Sequence, residues 1–181
     1  MRNLNKQKFD DYPESIYLKS NEKAIKYFKE IKKFEQALGF DYDSGGFLIL
    51  HKKHKPSGIN DEIPVCLILK KLGFDILLIE EKDSDKSVDA EIREIAFEIK
   101  RLVRAENFRK AMLRHFQRTY KKTSYLLLHI DQFISESQLK SVLQHSAEEY
   151  SKIKIVWLIY ENKLNILDRK MLLSKNYRLG K

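Results

Sequence analysis

The stretch Val88-Asp89-Ala90-Glu91-Ile92-Arg93-Glu94-Ile95-Ala96-Phe97-Glu98-Ile99-Lys100 carries the residues best suited to chemistry. Ile95, Phe97 and Ile99 alternate with Ala96, Glu98 and Lys100, the period of a strand, so Glu98 and Lys100 share one face. If Arg93-Glu94 is a two-residue turn, Asp89 falls opposite Glu98, and cross-strand neighbours have Cβ atoms about 4.5–5.5 Å apart. Two carboxylates held that close repel unless a cation neutralises them. A hard divalent ion, Mg²⁺ or Mn²⁺, is commonly held by one or two carboxylates with several waters. Such an ion can polarise a phosphate oxygen and acidify a water, while Lys100 steadies the developing charge. The chemistry implied is phosphodiester hydrolysis. The competing reading is an exposed hairpin face carrying ordinary charges.

The elements around this stretch must position it. A helix is expected over 20–38, capped by Ser20 or Asn21, with Ala24, Tyr27, Phe28, Ile31, Phe34 and Leu38 at helical spacing and Gly39 as its stop. A turn over 41–46 and a short strand over 47–51 follow, then a basic loop over 51–58. A helix is expected over 61–72, capped by Asn60 or Asp61, with Pro64 in its first turn and Gly73 ending it. An apolar strand covers 74–80, a charged loop 81–87, and paired strands 88–92 and 95–101. A long basic helix is expected over 104–120, a strand over 124–130, a helix over 135–150, and strands over 153–160 and 163–167. The tail from Asp168 is basic. Buried apolar strands mixed with helices predict an α/β or α+β sheet. The expected organisation is an N-terminal helical segment over 1–40, one catalytic domain over 41–170 and a basic tail over 171–181.

The region from Asp61 to Asp131 resembles the core of the PD-(D/E)XK nuclease superfamily, whose αβββαβ order matches this succession. The resemblance implies that Asp89 and Glu98 bind the metal and that Lys100 assists hydrolysis. It implies a further glutamate on the first core helix, for which Glu62 is the natural match, and a metal-facing backbone carbonyl at Ile99. Val88 stands where the motif's name has proline. More narrowly, Gly45-Gly46-Phe47-Leu48-Ile49-Leu50-His51-Lys52, then Gly73-Phe74-Asp75, Lys86-Ser87-Val88-Asp89 and Phe97-Glu98-Ile99-Lys100 resemble the C-terminal tRNA nuclease domains of contact-dependent growth inhibition toxins. That resemblance covers about half the chain. It implies a nuclease acting on RNA, tRNA first, in the cytoplasm of a target cell after delivery within a larger toxin, and a cognate immunity protein. A DNA endonuclease, or a non-catalytic nucleic-acid-binding module on the same fold, is the alternative.

The remaining residues fit a polyanionic partner. The 181-residue chain has 35 Lys and Arg against 26 Asp and Glu, a net charge of +9, which favours phosphate-rich ligands. At about 100° per residue, Arg104, Lys110, Arg114 and Arg118 of the 104–120 helix share one arc with Lys121, the residue just past its expected end. Leu102, Ala105, Phe108, Met112, Leu113 and Phe116 lie roughly opposite. The cations are a candidate track for backbone phosphates, or simply a solvated face. Arg109 points into the apolar arc. His51 and Lys52, at the end of a strand, are candidate substrate contacts, and His51 and His54 otherwise read as surface histidines in a basic loop. His115, His129 and His145 have no partner visible in sequence. Asp131 reads as a polar residue ending a buried strand. The lone Cys66 reads as a small buried apolar residue. No apolar run approaches the length of a membrane span, and the first ten residues lack the apolar stretch of a signal peptide.

Overall fold

In the computed structural model the described residues are 34–37, 46, 48–51, 54, 56–79, 87–174 and 176–179. They fall into two compact units. The first is drawn from Met1–Lys82 and Ala90–Glu94, the second from Asp83–Asp89 and Ile95–Lys181. The fold is mixed α/β, as the sequence predicts, and the central elements follow in the order helix, three strands, helix, strand.

In the first unit, β1 (Phe34–Ala37) runs antiparallel to β2 (Leu48–His51), β2 parallel to β3 (Ile76–Leu78), and β3 antiparallel to β4 (Ala90–Ile92). The parallel pair needs a crossover, supplied by helix α1 (Pro56–Lys71). The helix starts five residues before the expected position because Pro56, whose fixed φ suits a first helical residue, sets its N-terminus. Asn60 and Asp61 therefore lie inside it rather than capping it, and Pro64 sits in its interior. Gly73, at φ 84°, closes it. The Gly73 N–H donates to Lys70 O at 2.9 Å and the Phe74 N–H to Leu69 O at 3.1 Å, a Schellman pair. Gly46 packs against this cap so tightly that a Cβ there would lie 2.6 Å from Phe74 O and 2.8 Å from Lys70 O. The strand at β1 overturns the helix expected through residue 38 for residues 34–37, where pairing with β2 outweighs local period. The rest of that expected helix lies outside the described residues. Arg93 and Glu94, at φ 51° and 65°, form the turn after β4, and the Arg93 guanidinium sits 4.6 Å from the Phe74 ring centroid.

In the second unit, β5 (Ile95–Leu102), β6 (Tyr125–Ile130) and β7 (Ile155–Tyr160) are parallel neighbours, and β8 (Lys163–Asp168) is antiparallel to β7. Helices α2 (Phe108–Lys122) and α3 (Glu136–Glu149) make the crossovers. Asn107 caps α2 by accepting from Lys110 N, and Ser135 caps α3 by accepting from Gln138 N. Glu161 and Asn162, both at positive φ, form the β7–β8 turn. Leu102, Met112, Phe116, Leu126, Leu128, Leu139, Leu143, Val156 and Leu158 form the core between sheet and helices. On the opposite face Phe97 stacks obliquely against Tyr125 and Trp157. The chain after β8 is ordered as helix α4 (Arg169–Ser174), which buries Leu172 in the same core.

Candidate active site

The candidate catalytic residues Asp89, Glu98 and Lys100 lie together in the second unit. Register in the parallel sheet places Glu98 beside Leu126 and Lys100 beside Leu128. Both polar residues therefore project on the face that carries the helix-covered core. Asp89 is fixed against β5 twice: its N–H donates to Phe97 O at 3.1 Å, and its Oδ2 accepts from Ile99 N at 2.7 Å. Those two bonds bracket Glu98. The carboxyl-bearing residues are almost wholly buried, at 4% exposure for Asp89 and 1% for Glu98.

Two ammonium groups compensate the pair. Lys100 Nζ lies 2.7 Å from Glu98 Oε1 and 3.2 Å from Asp89 Oδ2, and it donates to Ile99 O at 2.7 Å. The Ile99 carbonyl is thus part of the same cluster. Lys122, the last residue of α2, brings a second Nζ to 3.0 Å from Glu98 Oε1 and 3.9 Å from Asp89 Oδ1. Sequence reasoning missed it, because the helix was expected to end at Tyr120. Its actual end is Thr123, whose N–H bonds Thr119 O and whose hydroxyl donates to Ala96 O on β5. Thr123 is the signal that a longer helix reading would have needed.

Burial, and then Asp89, push the Glu98 carboxyl above the usual range, more than Lys100 and Lys122 lower it. For Lys100 burial acts downward, but Asp89 and Glu98 more than offset it and hold the ammonium above its usual value. His115 stands two helical turns before Lys122 on the same line of α2. Burial, then Lys100, Arg118 and Arg114, lower its pKa from 6.5 to about 4, so it is a neutral imidazole at physiological pH. Its Nδ1 is buried without a hydrogen-bond partner.

The donor set fits a hard divalent cation. Two carboxylates and one backbone carbonyl are all oxygen ligands. Glu98 Oε2 is buried and has no hydrogen-bond partner, a vacancy in bonding that buried carboxylates rarely tolerate. Among the described residues no group of three or more His, Cys, Asp or Glu side chains is gathered for a metal, so water or substrate would supply the remaining ligands.

Glu62, assigned to the catalytic set by resemblance, belongs to the first unit, where it is buried and its Oε2 lies 2.6 Å from His54 Nε2. His54 is not a surface residue as expected. It is 5% exposed, with Nδ1 2.8 Å from Ile79 O, because these two partners hold the ring inside. His51 ends β2, its side chain lying outside the described residues, as does the whole of Lys52. Lys110, Arg114, Arg118 and Lys121 are exposed along α2, while Phe108, Met112 and Phe116 are buried. Arg104 does not join that arc. It stands before the helix at φ 50°, because Asn107 caps α2 later than expected and Gln132 Oε1 captures the Ala105 N–H at 2.6 Å. Arg109 lines a cleft of about 340 Å³ with Ser141, Val142, Gln144, His145 and Glu148 of α3. Asp131 accepts a hydrogen bond from Arg101, and its N–H donates to Leu102 O at 2.8 Å. Cys66 is buried and takes part in no disulfide.

No protein-family model matches this chain, and no curated protein matches it. Among solved structures it is similar to one titled "CdiA-CT/CdiI toxin and immunity complex from Burkholderia pseudomallei". The likeness is 12% identity at a TM-score of 0.46, over 63% of this chain and 89% of that one. At that distance, function has to be read from the residues of the site. No helix among the described residues is long and apolar enough to cross a membrane.

Proposed function

We propose that the chain is a metal-dependent nuclease that hydrolyses phosphodiester bonds in RNA, with tRNA as the first substrate to test. The observation that carries this reading is the buried Asp89–Glu98 pair, matched by two ammonium groups and retaining an unbonded Glu98 Oε2. Buried like charges are costly, and a chain that keeps them beside a basic helix has a use for a cation and a phosphate. Asp89, Glu98 and the Ile99 carbonyl are the residues that would hold Mg²⁺ or Mn²⁺. Bound there, the ion supplies Lewis acidity toward a phosphate oxygen and toward water.

The chain's own groups supply the rest. Lys100 Nζ directs its three N–H groups to Glu98, Asp89 and the Ile99 carbonyl, so release of one of these acceptors would free it to donate to a non-bridging oxygen as charge develops or to orient the attacking water. Burial of the acid pair lowers the local dielectric and strengthens those contacts. Lys110, Arg114, Arg118 and Lys121 form an exposed row of cations for neighbouring phosphates. The choice of RNA over DNA, the toxin role and an acidic immunity partner rest on the sequence resemblance and on this basic face.

The test is cleavage of total tRNA, other RNA and plasmid DNA with Mg²⁺, Mn²⁺ or EDTA, beside an Asp89→Ala control. Metal-dependent cutting that disappears in the control supports the reading, and the substrate cut decides RNA against DNA. Tight, salt-sensitive binding with no cutting would replace the nuclease by a binding module.

A further inference from the structure

The acid pair and its two lysines balance: two negative charges face two positive ones. A divalent cation entering between Asp89 and Glu98 would leave a surplus of two positive charges in a buried pocket. Such a surplus is unfavourable at low dielectric. One ammonium therefore has to leave when the metal arrives, or the metal has to wait for a phosphate.

The two lysines are not equally held. Lys100 has three acceptors at 2.7, 2.7 and 3.2 Å, two carboxylates and a carbonyl, and its side chain is 17% exposed. Lys122 has one close acceptor, Glu98 Oε1 at 3.0 Å, and a distant one, Asp89 Oδ1 at 3.9 Å, and its side chain is 23% exposed. It also sits on the last residue of α2, where the helix C-terminus favours a cation in more than one orientation. Both lysines share Glu98 Oε1, leaving Oε2 without a partner.

We infer that Lys122 is a tethered counter-cation that holds the metal-free site together and is displaced when a divalent ion binds, so that it sets the site's metal affinity. This rests on the nuclease reading for the identity of the ligand. Lys122→Met removes the charge and keeps most of the volume, and Lys122→Arg keeps the charge.

The experiment is calorimetric titration of Mn²⁺ into the full chain, with thermal denaturation in EDTA, for wild type and both variants. Lys122→Met is expected to bind Mn²⁺ roughly tenfold more tightly than wild type, and to melt lower in EDTA but regain stability with Mn²⁺. Lys122→Arg is expected to stay within about threefold of wild type. Equal or weaker Mn²⁺ binding by Lys122→Met overturns the inference, as does failure of both wild type and Lys122→Met to bind Mn²⁺. Should Lys122→Met prove unfolded in EDTA, titration of the Lys122→Gln chain decides by the same criterion. Cleavage assays separate this from the nuclease reading. Metal-dependent cutting with unchanged affinity in Lys122→Met sinks only the counter-cation, whereas tighter Mn²⁺ binding without cutting sinks only the nuclease.

Discussion

Replacing Lys100 by methionine keeps the stem and removes the ammonium that touches both acids. In the native site that Nζ makes contacts of 2.7 Å to Glu98 Oε1, 3.2 Å to Asp89 Oδ2 and 2.7 Å to Ile99 O. Removing one partner of a fully buried ion pair costs about 3–5 kcal/mol. Here the lysine side chain is 17% exposed, and Lys122 remains 3.0 Å from Glu98. The loss should therefore be smaller, about 2–3 kcal/mol. For a chain of this length that lowers the melting temperature by roughly 5–10 °C. The assay is thermal denaturation of the full chain in EDTA, repeated with Mn²⁺. The drop should shrink with Mn²⁺, which replaces the missing positive charge. A solvated hairpin face predicts something different, since exposed ion pairs contribute about 0–1 kcal/mol. A drop below about 2 °C, or one indifferent to Mn²⁺, would refute the picture of a buried acid pair that depends on cations.

Other outcomes follow from single features. His115 has its pKa lowered from 6.5 to about 4 by burial and the neighbouring cations, so its stabilising effect is complete above pH 6.5 and is lost as pH falls toward 4. The whole effect is up to about 3 kcal/mol. The pH dependence of stability should flatten in His115→Gln, and an imidazole that titrates near its ordinary pKa by NMR would contradict this. Gly46→Ala places a methyl 2.6 Å from Phe74 O and 2.8 Å from Lys70 O, and should cost about 1–3 kcal/mol in denaturant unfolding; an unchanged midpoint would show that the α1 cap can move aside. Reversing Arg114 and Arg118 to glutamate removes two exposed cations from α2. Binding of single-stranded RNA should weaken, with the salt slope falling by roughly 1.4 in log–log terms. An unaltered slope would remove this face from the nucleic-acid contact.

What the sequence made legible is mostly what lies along one strand or one helix face. Alternation in residues 95–100 placed Glu98 and Lys100 together, because strand period alone dictates it. The exposed and buried sides of α2 followed from helical period in the same way. Errors arose where a partner distant in sequence decides the outcome. Residues 34–37 have a helix-like apolar spacing but pair with β2. Leu102, Arg104 and Ala105 fitted the helical arc, yet Leu102 completes β5 and the Ala105 N–H is taken by Gln132, 27 residues away. His54 looked solvated in its basic loop, and only Glu62 and Ile79 explain its burial. Two local signals were nevertheless available: Pro56 for the start of α1 and Asn107 for the start of α2.

The position of Lys122 shows why the site could not be completed from sequence. Helical geometry says where Lys122 lies on α2, but not how high α2 sits against β5. That height is set by Thr123, whose hydroxyl donates to Ala96 O at 2.9 Å. The sheet register then sets the other side of the contact, with Glu98 beside Leu126 and hence beneath the helix-covered face. A carboxylate on that face must be compensated or protonated, because burial disfavours its charge. The lysine that compensates it comes from 24 residues further on, across a crossover. The acids were recognisable because their chemistry is written in strand period. Their counter-charge became visible only once a helix end had been pinned to the strand that carries them.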